Sequence, residues 1–128
     1  MLHHISLGVA NLKTSGAFYD ATLGALGFRR VFEAGTAIGW GLEDGKDKLC
    51  LKLQPAARSP GPGFHLAFDA VSREAVDKFH AAGIEAGGKD NGAPGLRPHY
   101  GEHYYAAFLV DPDGHHVEAV INVPASSD

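Results

Sequence analysis

Apolar and polar residues alternate from the first residues of the chain onward. In "HISLGV" (residues 4–9) Ile5, Leu7 and Val9 fall on one side and His4, Ser6 and Gly8 on the other, which predicts a strand with one buried face. After Asn11 the period changes. The stretch "LKTSGAFYDATLGALGF" places Leu12, Phe18, Leu23 and Leu26 on one face of a helix. Gly27–Phe28 closes it, and three short alternating runs follow, "RRVFEAG", "TAIGWGLE" and "DKLCLKLQP", separated by Gly, Asp and Lys turn signals. The order so far is one strand, one helix and three strands.

"RSPGPG" interrupts this pattern, and beyond it the pattern starts again. "FHLAFDAV" alternates as a strand, and "SREAVDKFHAAGI" reads as a helix with Ser72 at its N-cap. "GIEAGGKD" is expected to hold a further strand, "YYAAFLVD" another, and "HHVEAVIN" the last, after a "DPDG" turn. In register, His4 lies 14 residues before Phe18 and His65 lies 14 residues before Phe79, with Ile5 matching Leu66 and Leu7 matching Phe68. A constant offset of this kind is the mark of an internal duplication. The prediction is an α+β fold, one domain over residues 1–128 built from two βαβββ modules, at about 2–56 and 63–122, with a curved mixed sheet within and the helices outside.

Composition narrows the partners. At 128 residues and 45% hydrophobic content the chain is expected to fold as one unit without covalent staples. A formal net charge of −4, with no basic stripe, argues against nucleic acid. Cys50 is the only cysteine, so no intramolecular disulfide forms and a reducing, cytoplasmic setting is expected. The first residues fit neither a secretory signal nor a membrane span of about 20 apolar residues, so no membrane partner is expected and the mature chain is expected to start at or near Met1.

The polar faces of the strands carry the candidate chemistry. In the strand that opens the second module Phe64, Leu66 and Phe68 oppose His65, Ala67 and Asp69, and in the last strand Val117, Ala119 and Ile121 oppose His116, Glu118 and Val120. His4, His65 and Glu118 thus share equivalent faces, with His3 turned the other way. Two neutral imidazoles and a carboxylate form a mixed nitrogen and oxygen set suited to a divalent Zn, Fe, Mn, Ni or Co ion with positions left open for substrate. The stretch "GLRPHYGEHYYAAF" gathers Arg97, His99, Tyr100, His103, Tyr104 and Tyr105 within nine residues. Of these, His99 and Tyr100 are candidate acid–base groups and Arg97 a candidate clamp for an anionic substrate, whereas Tyr104 and Tyr105 also read as alternating strand residues. Lys52, on the same face as Cys50, is a second candidate contact for an anion. His80 is expected to be structural, and His115 and His116 to lie at the surface or beside the ligands.

Taken together, "HHISLGVANL", the "FY", "LG" and "LGF" that follow it, "FHLAFDAV" and "DPDGHHVEAV" resemble the glyoxalase/bleomycin resistance/extradiol dioxygenase superfamily, the vicinal oxygen chelate fold, over residues 2 to about 122. The resemblance implies that the paired modules form an open funnel with metal ligands at His4, His65 and Glu118, and that two chains pair as a homodimer. It implies a metal-dependent enzyme on a small oxygen-rich molecule, either a glyoxalase-like lyase or isomerase or an extradiol-type dioxygenase, with His99 or Tyr100 as proton-transfer group in the latter. The alternative is a non-catalytic small-molecule or antibiotic-sequestering protein, although such members typically lack the ligand set. One departure stands out: where glyoxalase I carries a fourth ligand, a glutamate on the fourth strand, "DKLCLKLQP" offers Cys50 and Lys52 and no carboxylate on that face.

Overall fold

The computed structural model describes residues 1–125, and the domain end expected at 128 lies outside them. Strand β1 (Ile5–Val9) buries Leu7 and Val9, as its alternation requires, and leaves Ser6 exposed. Helix α1 (Leu12–Ala25) starts at Asn11, whose side chain accepts a 3.0 Å hydrogen bond from the Thr14 backbone N–H. It ends at Gly27, whose φ of +94° favours a residue without Cβ. Strands β2 (Arg29–Ala34), β3 (Ala37–Glu43) and β4 (Lys46–Leu53) follow. The second half repeats the order with β5 (Leu66–Asp69), α2 (Arg73–Glu85), β6 (Lys89–Leu96), β7 (Tyr104–Val110) and β8 (His116–Asn122). Ser72 caps α2 as anticipated, accepting from the Ala75 N–H at 3.0 Å. The strand expected in "GIEAGGKD" is displaced. Residues 83–85 finish α2, residues 86–88 turn, and only the last two, Lys89 and Asp90, begin β6.

The strands form two four-stranded mixed sheets, ordered β1-β4-β3-β2 and β5-β8-β7-β6. β1 runs parallel to β4 and β5 parallel to β8, while the other pairs are antiparallel. β1 and β5 are therefore both edge strands. Each helix covers one face of its own sheet, and the two helices pack against each other. The core runs continuously through both halves, from Leu7, Phe18, Tyr19 and Trp40 to Val76, Phe79, Leu109 and Val117. Gly83 makes the close helix approach possible: a Cβ there would lie 2.3 Å from Leu109 Cδ1 and 2.9 Å from Thr22 Cγ2.

Polar ties also cross between the halves. At the "DPDG" turn, buried Asp111 accepts from the Tyr19 hydroxyl of α1 at 2.6 Å, and Asp113 accepts from the Ser15 hydroxyl at 2.6 Å and the Ala10 backbone N–H at 2.9 Å. His115, expected at the surface or beside the ligands, is buried, with Nε2 3.1 Å from the Gly8 carbonyl. His80 is structural in the expected sense, bonded through Nε2 to Asp90 Oδ1 at 2.9 Å. Among the described residues no helix is long and apolar enough to cross a membrane.

Candidate active site

The faces turned away from the helices hold the polar residues. On the second sheet Glu118 lies between Ala67 of β5 and Phe108 of β7, and its neighbours cover it until only 1% of the residue is exposed. Its two oxygens are divided between two partners. Oε1 is 3.1 Å from Nε2 of His65, itself half-exposed just before β5, and Oε2 accepts the hydroxyl hydrogen of Tyr104. Burial, then the hydrogen bond and charge of Glu118, push the Tyr104 hydroxyl up to about 12. These groups open into a hollow of about 340 Å³ whose walls include His65, Asn91, Tyr100, Tyr104, Phe108 and Glu118, with exposed His116 at its edge.

A second hollow of about 250 Å³ shares Asn91, Tyr100 and Phe108 with the first and extends to Arg97 and His99. The Arg97 guanidinium is fixed rather than free: it donates to the carbonyls of Gly95 at 2.9 Å and Ala93 at 2.6 Å and lies 5.3 Å over the Phe108 ring. Among the described residues no carboxylate pairs with it. The rings of His99, Tyr100 and Tyr104 stand in series, with centroids 4.1 Å and then 5.3 Å apart. Tyr104 is thus the member that touches Glu118, and Tyr100 and His99 lie progressively outward.

The first sheet carries the remaining candidates. His4 is exposed just ahead of β1, with its Nδ1 2.7 Å from Nδ1 of His3. Lys52 pairs across from Gly8 and Ala37 and is exposed, while Cys50, across from Ser6 and Gly39, is buried. Burial raises the Cys50 thiol, the Asp47 charge raises it further, and Lys52 and Ser6 pull it down. Register shifts between β3 and β4 bring Asp47 over Gly39, where a Cβ would meet Asp47 Cβ at 2.6 Å. A carboxylate therefore does reach the Cys50 face, although Asp47 lies three residues before Cys50, an odd offset that strict alternation would turn to the other face. The structure thus brings His65 and Glu118 together and places His4 on the other sheet. Among the described residues no three His, Cys, Asp or Glu side chains converge as a metal-holding group within one chain.

Comparison with known proteins extends this picture. The sequence matches the Glyoxalase/Bleomycin resistance protein/Dioxygenase superfamily over residues 1–119. A glyoxalase/bleomycin resistance protein from Albidiferax ferrireducens superposes with a TM-score of 0.80 at 35% identity, covering 94% of this chain and 97% of that one. A glyoxalase I mutant from Zea mays superposes at 0.70 with 25% identity, covering 94% of this chain and 46% of its longer partner. The fosfomycin resistance protein FosX from Listeria monocytogenes, at 18% identity, shares the fold with a TM-score of 0.69, covering 94% of this chain and 91% of that one. No curated protein matches the sequence. Two strand–helix–strand halves with the same order, a buried glutamate behind "DPDG" and a family match across nearly the whole chain agree: this chain belongs to the glyoxalase/bleomycin resistance/dioxygenase superfamily.

Proposed function

We propose that the protein is a metal-dependent enzyme acting on a small oxygen-rich molecule, a glyoxalase-like lyase or isomerase or an extradiol-type dioxygenase. One observation carries this reading: Glu118 is a buried carboxylate at the floor of an open hollow, faced by an imidazole, and among the described residues no lysine or arginine pairs with it. A buried carboxylate without a cation is costly, and a divalent ion removes that cost. The donors fit such an ion in type, with His65 and Glu118 already side by side and His4 as the second imidazole. Because His4 stands on the other sheet, we infer that a second copy of the chain supplies it, which makes the working form a homodimer.

A divalent Zn, Fe, Ni, Mn or Co ion held by His65, Glu118 and His4 supplies Lewis acidity toward substrate oxygens. The remaining roles belong to the chain itself. Arg97, anchored by two carbonyls and free of carboxylates among the described residues, holds an anionic group of the substrate. Tyr100 lies at the junction of the two hollows, and with His99 it holds or moves a proton at the substrate. Phe108 and the Tyr100 ring narrow the hollow around it. Lys52, on the same sheet as His4, adds positive charge for the same anion from the second copy.

The separation of His4 from the other donors favours a second reading, a binding protein that sequesters its ligand without metal. Elemental analysis of protein purified without a histidine tag or chelator separates the two. The expected result is about one divalent ion per chain in the wild type, lost in His65→Ala and in Glu118→Ala while both variants keep cooperative thermal unfolding. Wild-type protein that holds no ion after reconstitution with each of the five metals would establish the second reading instead.

A further inference from the structure

We propose that Tyr104 is a positioning residue that reserves one oxygen of Glu118 and leaves the other, Oε1, as the oxygen open to a metal. This rests on the metal-site reading above and adds to it a residue that never touches the ion. The carboxylate has two oxygens, each with two lone pairs, and would rotate freely about its last torsion if nothing held it. Here Oε2 accepts from the Tyr104 hydroxyl, and Oε1 is the oxygen that faces His65. Tyr104 reaches Glu118 lengthwise along the sheet. Tyr104 pairs across from Asn122 and Phe108 from Glu118, and Ala106, between them on β7, contributes only a methyl group to the intervening space.

The tyrosine is itself held. Its ring packs 5.3 Å from that of Tyr100, which packs 4.1 Å from that of His99, so the hydroxyl is presented to Glu118 from a supported position. Outer partners of this kind orient a ligating group, and their removal lowers metal affinity by about 10–100-fold. On this view the His99–Tyr100–Tyr104 series has two jobs: its outer members meet the substrate, and its inner member fixes the carboxylate.

The test compares Tyr104→Phe with Tyr105→Phe. Tyr105, the next residue, donates a 2.6 Å hydrogen bond to Asp77 and not to Glu118, so its variant loses a similar bond elsewhere. Co²⁺ binding is measured by equilibrium dialysis, together with the visible absorption of the bound ion and the unfolding midpoint of the metal-free protein. The expected result is a roughly 10–100-fold weaker Co²⁺ affinity and an altered visible spectrum in Tyr104→Phe, with both retained in Tyr105→Phe. Unchanged affinity and spectrum in Tyr104→Phe would overturn the proposal while leaving the metal site standing. Equal weakening in the two variants would also overturn it, since the effect would then be a general loosening of the sheet. A wild-type protein that does not bind Co²⁺ would overturn the metal-site reading and this proposal with it.

Discussion

Asp111 shows how a single buried group couples this fold to pH. Burial raises its carboxyl above its ordinary value, while the Tyr19 hydroxyl and the backbone N–H groups of His115 and Asp113 partly restore it. Its pKa is thus higher folded than unfolded, where a carboxylate titrates near about 4. The stability it contributes is complete below the unfolded value and is lost as pH rises through the folded one. Asp111→Asn keeps an oxygen for the two backbone donors and an amide for Tyr19, and removes the charge. Urea unfolding from about pH 4 upward is expected to show the wild type losing stability relative to this variant as pH rises; parallel curves would mean that Asp111 titrates alike in both states. At this scale the sequence is a good guide to which face a side chain occupies, since alternation alone put His65 and Glu118 on one side. It was blind where the backbone departs from alternation, as at Asp47, and where long-range packing decides burial, as at His115. Nothing in "EHYYAAF" distinguishes Tyr104 from Tyr105, because what separates them is that one meets Glu118 and the other Asp77.

The elements were legible where propensity and burial agree. Both helices start at the polar caps that the sequence offers; six of the eight strands fall within the alternating runs, and β4 begins one residue ahead of its run. β6 is the exception for a physical reason. Its sequence, "KDNGAPGL", carries two glycines and a proline, and it pairs only on one side, with two register shifts against β7. Such an edge strand is held by its neighbour rather than by its own residues. The helix contact makes a sharper prediction. Gly83→Ala gains about 1 kcal/mol of helix propensity but drives a methyl into fully buried Leu109 and Thr22, an overpacking that costs about 1–3 kcal/mol. Gly24→Ala, on α1 with nothing within 4 Å of the added Cβ, takes the same propensity gain without that cost. Thermal unfolding should therefore show the first variant less stable than wild type and the second more stable. A Gly83→Ala protein as stable as Gly24→Ala would mean that the helices move apart at little cost.

For the molecule as a whole, the arrangement of the two sheets matters more than the details of either. The internal repeat was legible from the 14-residue offset, and so was the βαβββ order of each half. Which donors meet was not, because a face assignment is local and says nothing about which sheet looks at which. If a second copy completes the site, chains defective on different sheets should rescue one another. Mixing His4→Ala with Glu118→Ala, under conditions that let subunits exchange, is expected to restore one bound ion per mixed pair, because one of its two sites combines an intact His4 with an intact His65 and Glu118. A mixture of His65→Ala with Glu118→Ala should restore none: recovery there would place His65 and Glu118 in different chains, and absence of recovery in the first mixture would place all donors within one chain. The placement of His4 away from the His65–Glu118 pair also has a consequence for abundance. If the site is divided between two molecules as proposed, it responds to how much of the protein is present: chains scarce enough to part would each lose the ion, so dilution alone would switch the protein off.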